Sequence, residues 1–196
     1  MTTIERYLIS APPRVGGNLF TDIIKSTNTQ CVHTHDPQHR TDNDAITGLL
    51  IIRRRDVFSA VMSNCVVWHT NQTTIYDQTN IEPFEVTKQN FLLQYASHVW
   101  HFKNHDLTRP YGLVETFYFE DFIDDYMHVL TRLGLRLSDQ HDYSNWSARA
   151  PYSYKKLVIN HQDLKVLFDE LELGIVVNPY IKYNLLGIES GGFCQS

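Results

Sequence analysis

Short, unbroken apolar runs alternate along the chain with stretches whose apolar residues recur every three or four positions. Tyr7-Leu8-Ile9-Ser10 and Gly48-Leu49-Leu50-Ile51-Ile52 are the clearest runs, and the second is apolar throughout, as strands covered on both faces are. Cys31-Val32-His33 predicts another strand, and Val114-Glu115-Thr116-Phe117-Tyr118-Phe119 a fourth. Leu19, Ile23 and Ile24 fall at helical spacing and predict a helix over 18–26. Further helices are predicted from Asp56 to about Trp68, from Phe84 to about Asn104, from Glu120 to Leu133 and from His161 to Leu173. Phe122, Tyr126, Val129 and Leu130 give the Glu120–Leu133 helix one apolar side, and Gly134 reads as its C-cap. Residues 70–83 and 138–152 are polar and read as loops. Strands alternating with helices predict an α/β fold, a P-loop-like three-layer α/β/α sandwich around a central parallel sheet. A length of 196 residues suits one domain, 1–196.

Composition narrows the chemistry. Hydrophobic residues make up 42% and charged residues 20%, which is globular rather than disordered. The net charge of −5, from 17 basic and 22 acidic residues, argues against a general nucleic-acid binder. An anionic ligand must therefore be held by a local basic site against the overall field. The three cysteines (Cys31, Cys65, Cys194) are odd in number and lack CxxC spacing, which points to a reducing compartment and a cytoplasmic protein. No apolar stretch approaches the ~20 residues needed to cross a bilayer, so no membrane partner is expected. MTTIERYLIS does not read as a signal peptide, and the sequons at Asn71 and Asn145 read as incidental.

The segment Ser10-Ala11-Pro12-Pro13-Arg14-Val15-Gly16-Gly17-Asn18-Leu19-Phe20 joins a strand to a helix through a glycine-rich turn. That arrangement suits phosphate. Glycines let the backbone approach an anion, and the first helical amides lack internal partners. Arg14 offers a bidentate, charge-assisted contact. The loop has no Gly-Lys-Ser/Thr ending, so it places no hydroxyl for magnesium, and it does not match GxGxxG. A tight turn without a ligand is the plain alternative.

Pro13-Arg14-Val15-Gly16-Gly17-Asn18-Leu19 resembles the 5′-phosphosulfate loop of sulfotransferases that use 3′-phosphoadenylyl sulfate (PAPS). Val15 and Gly17 stand where that family usually has hydroxyl residues. Three more segments follow in the family's order. Val32-His33-Thr34-His35-Asp36-Pro37 is similar to the Lys-Thr-His-x-Pro stretch; by resemblance His35 is the catalytic base and His33 takes the lysine's place. A neutral imidazole suits proton abstraction near pH 7, whereas His33 in place of lysine makes that positive charge depend on pH. His33, His35, Asp36 and His39 also admit a metal site or an ordinary polar loop. Leu49 to Ser63 resembles the 3′-phosphate motif, an apolar strand ending in arginine before a helix that carries serine. One family spacing selects Arg54 with Ser63, and another selects Arg55 with Ser63. Ser59 lies one helical turn earlier on the same face. Phe117 to Phe122, running on to Leu133-Gly134-Leu135, is similar to the segment that closes the family's core.

The resemblance covers roughly residues 5–68 and 112–135. The family's C-terminal Arg-Lys-Gly-x-x-Gly-Asp-Trp stretch has no counterpart here, and Tyr154-Lys155-Lys156 or Gly191-Gly192 match it poorly. The resemblance implies in-line transfer of a sulfuryl group from PAPS to a hydroxyl or amine of a small-molecule or glycan acceptor, leaving adenosine 3′,5′-bisphosphate. His35, Arg14 and His33 would be catalytic. Arg14, Val15, Gly16, Gly17, Asn18, Leu19, Arg54, Arg55 and Ser63 would bind the cofactor, with no metal. A P-loop phosphotransferase and a non-catalytic nucleotide-binding relative are the competing readings. The polar stretch 68–83 and the aromatic stretch from Tyr95 to Phe102 suit either an acceptor pocket or the core.

Overall fold

Four strands make one parallel sheet in the order β2-β1-β3-β4: β1 (Arg6–Ser10), β2 (Gln30–Thr34), β3 (Gly48–Arg53) and β4 (Leu113–Tyr118). The helices are α1 (Gly17–Lys25), α2 (Val57–Thr70), α3 (Lys88–Lys103), α4 (Phe119–Asp124), α5 (Tyr126–Arg132), α6 (Tyr154–Leu157) and α7 (His161–Glu172). The computed structural model describes residues 6–38, 46–71, 81–105, 111–137 and 153–180. The chain packs as two compact units, Met1–Ala60 with Asn104–Pro151, and Val61–Lys103 with Tyr152–Ser196; the boundary falls within α2.

The first unit holds the sheet. Its register sets Ile9 beside both His33 and Leu50, and Ile52 beside Phe117. Alternate residues then share a face. Tyr7, Ile9, Ala11, Leu50, Ile52 and Phe117 join Phe20, Ile23 and Ile24 of α1, Phe122 of α4, and Val129 and Leu130 of α5 in one buried core. Phe20 packs its ring against Phe117 and Phe122 with centroids 5.3 and 5.1 Å apart. Leu8, Leu49 and Ile51 form a second buried set with Ile46 on the opposite face. The central strands β1 and β3 are buried on both faces, and the architecture is the predicted three-layer α/β/α sandwich.

The helix expected over Glu120–Leu133 is two helices. Asp125, at φ −149° and ψ 81°, breaks it, and its carboxylate accepts the His128 amide at 3.1 Å as the cap of α5. A capping carboxylate offered the backbone a second start, which apolar spacing alone does not reveal. Gly134 ends α5 as expected. It adopts φ 68°, with Gly134 N–H donating to Thr131 and Leu135 N–H to Leu130 at 3.0 and 2.8 Å.

In the second unit α3 starts at Lys88 rather than Phe84. Phe84 instead pairs as an isolated bridge with Val158, donating to Leu157 at 2.8 Å and accepting from Ile159 at 2.9 Å. Asn160 closes the adjoining turn by accepting from Val86 N–H at 3.1 Å and donating to the Val86 carbonyl at 2.9 Å. Met62, Val66, Phe84, Phe91, Tyr95, Leu157, Leu164, Leu167 and Leu171 are among the buried apolar residues of this unit. Asn64 Nδ2 donates to Gln94 Oε1, and Gln94 Nε2 to Asn90 Oδ1, so the buried amides of Asn64 and Gln94 pair with each other. The predicted loop at 138–152, and 72–80 of the loop at 70–83, lie outside the described residues. No helix among the described residues is long and apolar enough to cross a membrane.

Gly16 fixes where the first loop meets the sheet. It adopts φ 84°, and a Cβ there would overlap the Phe119 ring. Gly134 has a similar φ of 68°, but a Cβ there meets nothing within 4 Å. Urea denaturation should therefore separate the two. Gly134→Ala should cost about 1 kcal/mol, from the left-handed backbone alone, and Gly16→Ala at least about 2 kcal/mol, because overpacking adds to it.

Candidate functional site

The strand order places a switch point at the centre of the sheet. From β1 the chain passes through α1 to β2 on one side, and from β3 it continues to β4 on the other. Open parallel sheets bind ligands in the crevice beyond the carboxyl ends of such neighbouring strands. Here that crevice is bordered by Ala11–Gly16 after β1 and by Arg54–Asp56 after β3. The two segments touch: Arg54 Nη1 donates to the Arg14 carbonyl at 3.4 Å.

The loop's backbone is unusual in two places. Arg14 adopts φ 68° and Gly16 φ 84°, both left-handed. Gly16 is the N-cap of α1 and supplies no side-chain cap, and the first helical bond runs from Phe20 N–H to the Gly16 carbonyl at 3.0 Å. The amides of Gly17, Asn18 and Leu19 consequently lack intrahelical acceptors. Val15 is fully buried in the core, Asn18 is exposed and Leu19 is half-buried at the core's edge. Gly17 is buried because the His33 ring lies against it; a Cβ there would overlap His33 Nε2 and crowd Ala11.

His33 and His35 both reach this region. They stand at the end of β2, edge to face, with centroids 4.6 Å apart. Ala11 N–H donates to the Thr34 carbonyl at 3.1 Å, extending the β1–β2 ladder past Ser10 and fixing the Ala11 carbonyl. His35 Nδ1 lies 2.7 Å from that carbonyl. A carbonyl only accepts, so Nδ1 carries the proton and Nε2 keeps its lone pair. His33 is half-buried, its Nε2 is enclosed without a hydrogen-bond partner, and desolvation, aided by His35 and Lys25, pushes its pKa down to about 4. His33 is therefore neutral at pH 7 and does not reproduce a lysine's charge.

Arg54 and Arg55 have separate surroundings. Arg54 is mostly covered, lies over the Phe119 ring at 4.9 Å and approaches Glu120 at 3.9 Å. Arg55 is exposed and forks onto both oxygens of Asp121 at 2.6 and 2.9 Å, over the Tyr118 ring. That pairing holds the Asp121 carboxyl below the usual carboxylate range. Glu120 accepts the Arg55 amide through both oxygens at 3.1 Å and the Asp56 amide at 3.3 Å. Asp56 in turn accepts the Ser59 amide at 3.0 Å and the Ser59 hydroxyl, so both carboxylates serve the start of α2. Ser63 lies farther along α2, in the second unit.

The structure thus gathers Arg14, Gly16, Gly17, Asn18, His33, His35 and Arg54 at one end of the first unit. In the sequence Glu120 and Asp121 mark only a strand–helix unit. The register that sets Arg53 beside Tyr118 is what brings them to Arg54 and Arg55. Three adjacent arginines needing counter-charge were the available signal. Among the described residues no group of three or more His, Cys, Asp or Glu side chains is arranged to hold a metal; His39 lies outside them. No family model matches the chain, and no curated protein matches it significantly.

The state of His33 sets a pH dependence. Its folded pKa of about 4 lies below the ordinary 6.5. Between those values the unfolded chain binds the proton and the folded chain does not. Stability is thus fully present above pH 6.5 and falls as pH drops toward 4. In chemical denaturation across this window, His33→Gln should show a shallower loss than the wild type.

Proposed function

We propose that the chain is a PAPS-dependent sulfotransferase that transfers a sulfuryl group to a hydroxyl or amine of a small-molecule or glycan acceptor. The observation that carries this reading is the juxtaposition at the switch point: a histidine with a lone pair on Nε2, beside a loop that carries Arg14 and leads into helical amides without intrahelical acceptors. An anion loop alone suits any phosphate ligand. The adjoining base adds proton abstraction.

The residues fit a phosphosulfate group through backbone and charge rather than hydroxyls. Position 15 faces the core and position 17 lies under His33. The two departures from the family pattern at 17 and 33 go together, because the imidazole occupies the space that a side chain at 17 would need. PAPS, when bound, supplies an activated sulfuryl group on a phosphate leaving group. His35 Nε2 would accept the proton of the attacking hydroxyl, with its ring held by the Ala11 carbonyl. The amides of Gly17, Asn18 and Leu19, with Arg14, would stabilise negative charge at the loop. Arg54 is the better candidate than Arg55 for a second phosphate. Arg54 already borders the loop, while Arg55 is engaged bidentately by Asp121.

Calorimetric titration with adenosine 3′,5′-bisphosphate tests the cofactor, with ATP plus magnesium as the control. Micromolar binding of the bisphosphate is expected. Preference for ATP and magnesium would instead favour a phosphotransferase. Arg54→Ala should weaken bisphosphate binding about tenfold or more, the scale of one lost charge-assisted contact, and Arg55→Ala less than about threefold. With PAPS and an acceptor found by screening, His35→Ala should lower turnover by roughly 100-fold while leaving bisphosphate affinity nearly unchanged. Bisphosphate binding without any transfer by the wild type would mark a non-catalytic relative.

A further inference from the structure

We propose that the turn closing α7, with the end of that helix, is a docking surface for a protein segment whose apolar side chains are flanked by lysine or arginine. The surface lies within the second unit, so it does not rest on the reading of the phosphate loop, which belongs to the first.

The apolar side chains here are exposed although the backbone beneath them is fixed. Leu173, Ile175 and Val177 are 75%, 69% and 72% exposed. Val166, on the same helical face as Leu173, is 59% exposed. Gly174, at φ 72°, ends α7 with N–H bonds from Gly174 to Leu171 and from Ile175 to Glu170 at 3.1 and 2.9 Å. Beyond the turn, buried Asn178 donates to the Leu92 carbonyl of α3 at 2.7 Å. The turn is therefore tied at both ends. In this kind of helix ending the residue after the glycine commonly packs back on an apolar side chain of the last turn. Here those helix positions are Asp169 and Glu170, so they offer Ile175 no apolar contact. Leu173, Ile175 and Val177 thus form one exposed cluster rather than scattered surface residues, and such clusters mark interaction sites.

Charge selects the occupant. Residues 166–177 carry Asp169, Glu170 and Glu172 and no lysine or arginine. Asp169 and Glu170 fall between Val166 and Leu173 on the helix face, three and four positions from each. Lys165, just before this stretch, engages Asp169 as an exposed pair, and the Tyr95 hydroxyl donates to Glu172. An exposed pair of that kind contributes little and exchanges readily for a partner's cation. A second copy of the chain, using the same surface, would set these carboxylates against their equivalents, and like charges across an interface oppose association. An anionic lipid surface is disfavoured for the same reason. A cationic amphipathic segment instead covers the apolar turn and brings opposite charge to Asp169 and Glu170.

The test uses the full chain and two synthetic peptides with leucine at the same helical spacing, one with lysine and one with glutamate at the intervening positions. Backbone amide NMR shifts map the contact, and their titration gives the affinity. The lysine peptide should bind saturably with shifts centred on residues 166–177, and the glutamate peptide about tenfold more weakly or not at all. Ile175→Ser with Val177→Ser should weaken the lysine peptide about tenfold or more, the scale of a lost apolar anchor. Asp169→Asn with Glu170→Gln should weaken it several-fold and flatten its dependence on salt. The wild-type map and the glutamate control decide the matter even if a variant does not fold. Equal binding of the two peptides, shifts centred elsewhere, or no saturable binding overturns the proposal. So does a surface already covered in the free protein. A dimer in sedimentation that Ile175→Ser dissociates would assign the surface to a second copy. Nuclear Overhauser contacts from residues 181–196 to Ile175 and Val177 would assign it to the chain itself. None of these outcomes bears on bisphosphate binding, which tests the loop separately.

Discussion

The carboxyl ends of β1, β2 and β3 are organised by how closely one stretch of backbone approaches its neighbours. At Gly16 the loop presses on the Phe119 ring, and at Gly17 on the imidazole of His33. Neither contact tolerates a Cβ. The left-handed turns at Arg14 and Gly16 carry the chain from strand to helix within that space, and leave the first amides of α1 without internal partners. Phe119 belongs to the same aromatic group as Phe122 and Phe20, so the loop is anchored to the core that joins α1 and α4 to the sheet.

Charge is arranged around this loop by division of labour. Two of the three consecutive arginines face carboxylates from α4, and those carboxylates do not act alike. Asp121 takes up the fork of Arg55 at the surface, an exposed pair that contributes little to stability. Glu120 spends its oxygens mainly on the backbone amides at the start of α2 and stands farther from Arg54. Arg54 is thereby left pointing at the Arg14 carbonyl while Arg55 is occupied.

The two histidines show how similar residues, two positions apart, acquire different chemistry. A hydrogen bond from Nδ1 to a fixed backbone carbonyl defines the tautomer of His35. Enclosure without a partner keeps His33 neutral. Neither property belongs to the residue type. Both come from the extra ladder bond between Ala11 and Thr34 and from the absence of a side chain at Gly17.

The periodicity of the chain determined the strands, most of the helices and the α/β class, because a fully buried strand and an amphipathic helix each leave a local signature. The Gly16-Gly17 pair after a buried strand marked the loop for the same reason. Tertiary structure decided what depends on distant partners. Asp125 split one predicted helix by capping, and Phe84 left another to pair with Val158. The division of the chain into two packed units, the separation of Arg54 from Arg55 by Glu120 and Asp121, and the neutral state of His33 likewise had no local signal. Those features follow from strand order and register, which bring together residues tens of positions apart, and no window along the sequence contains both halves of such a contact.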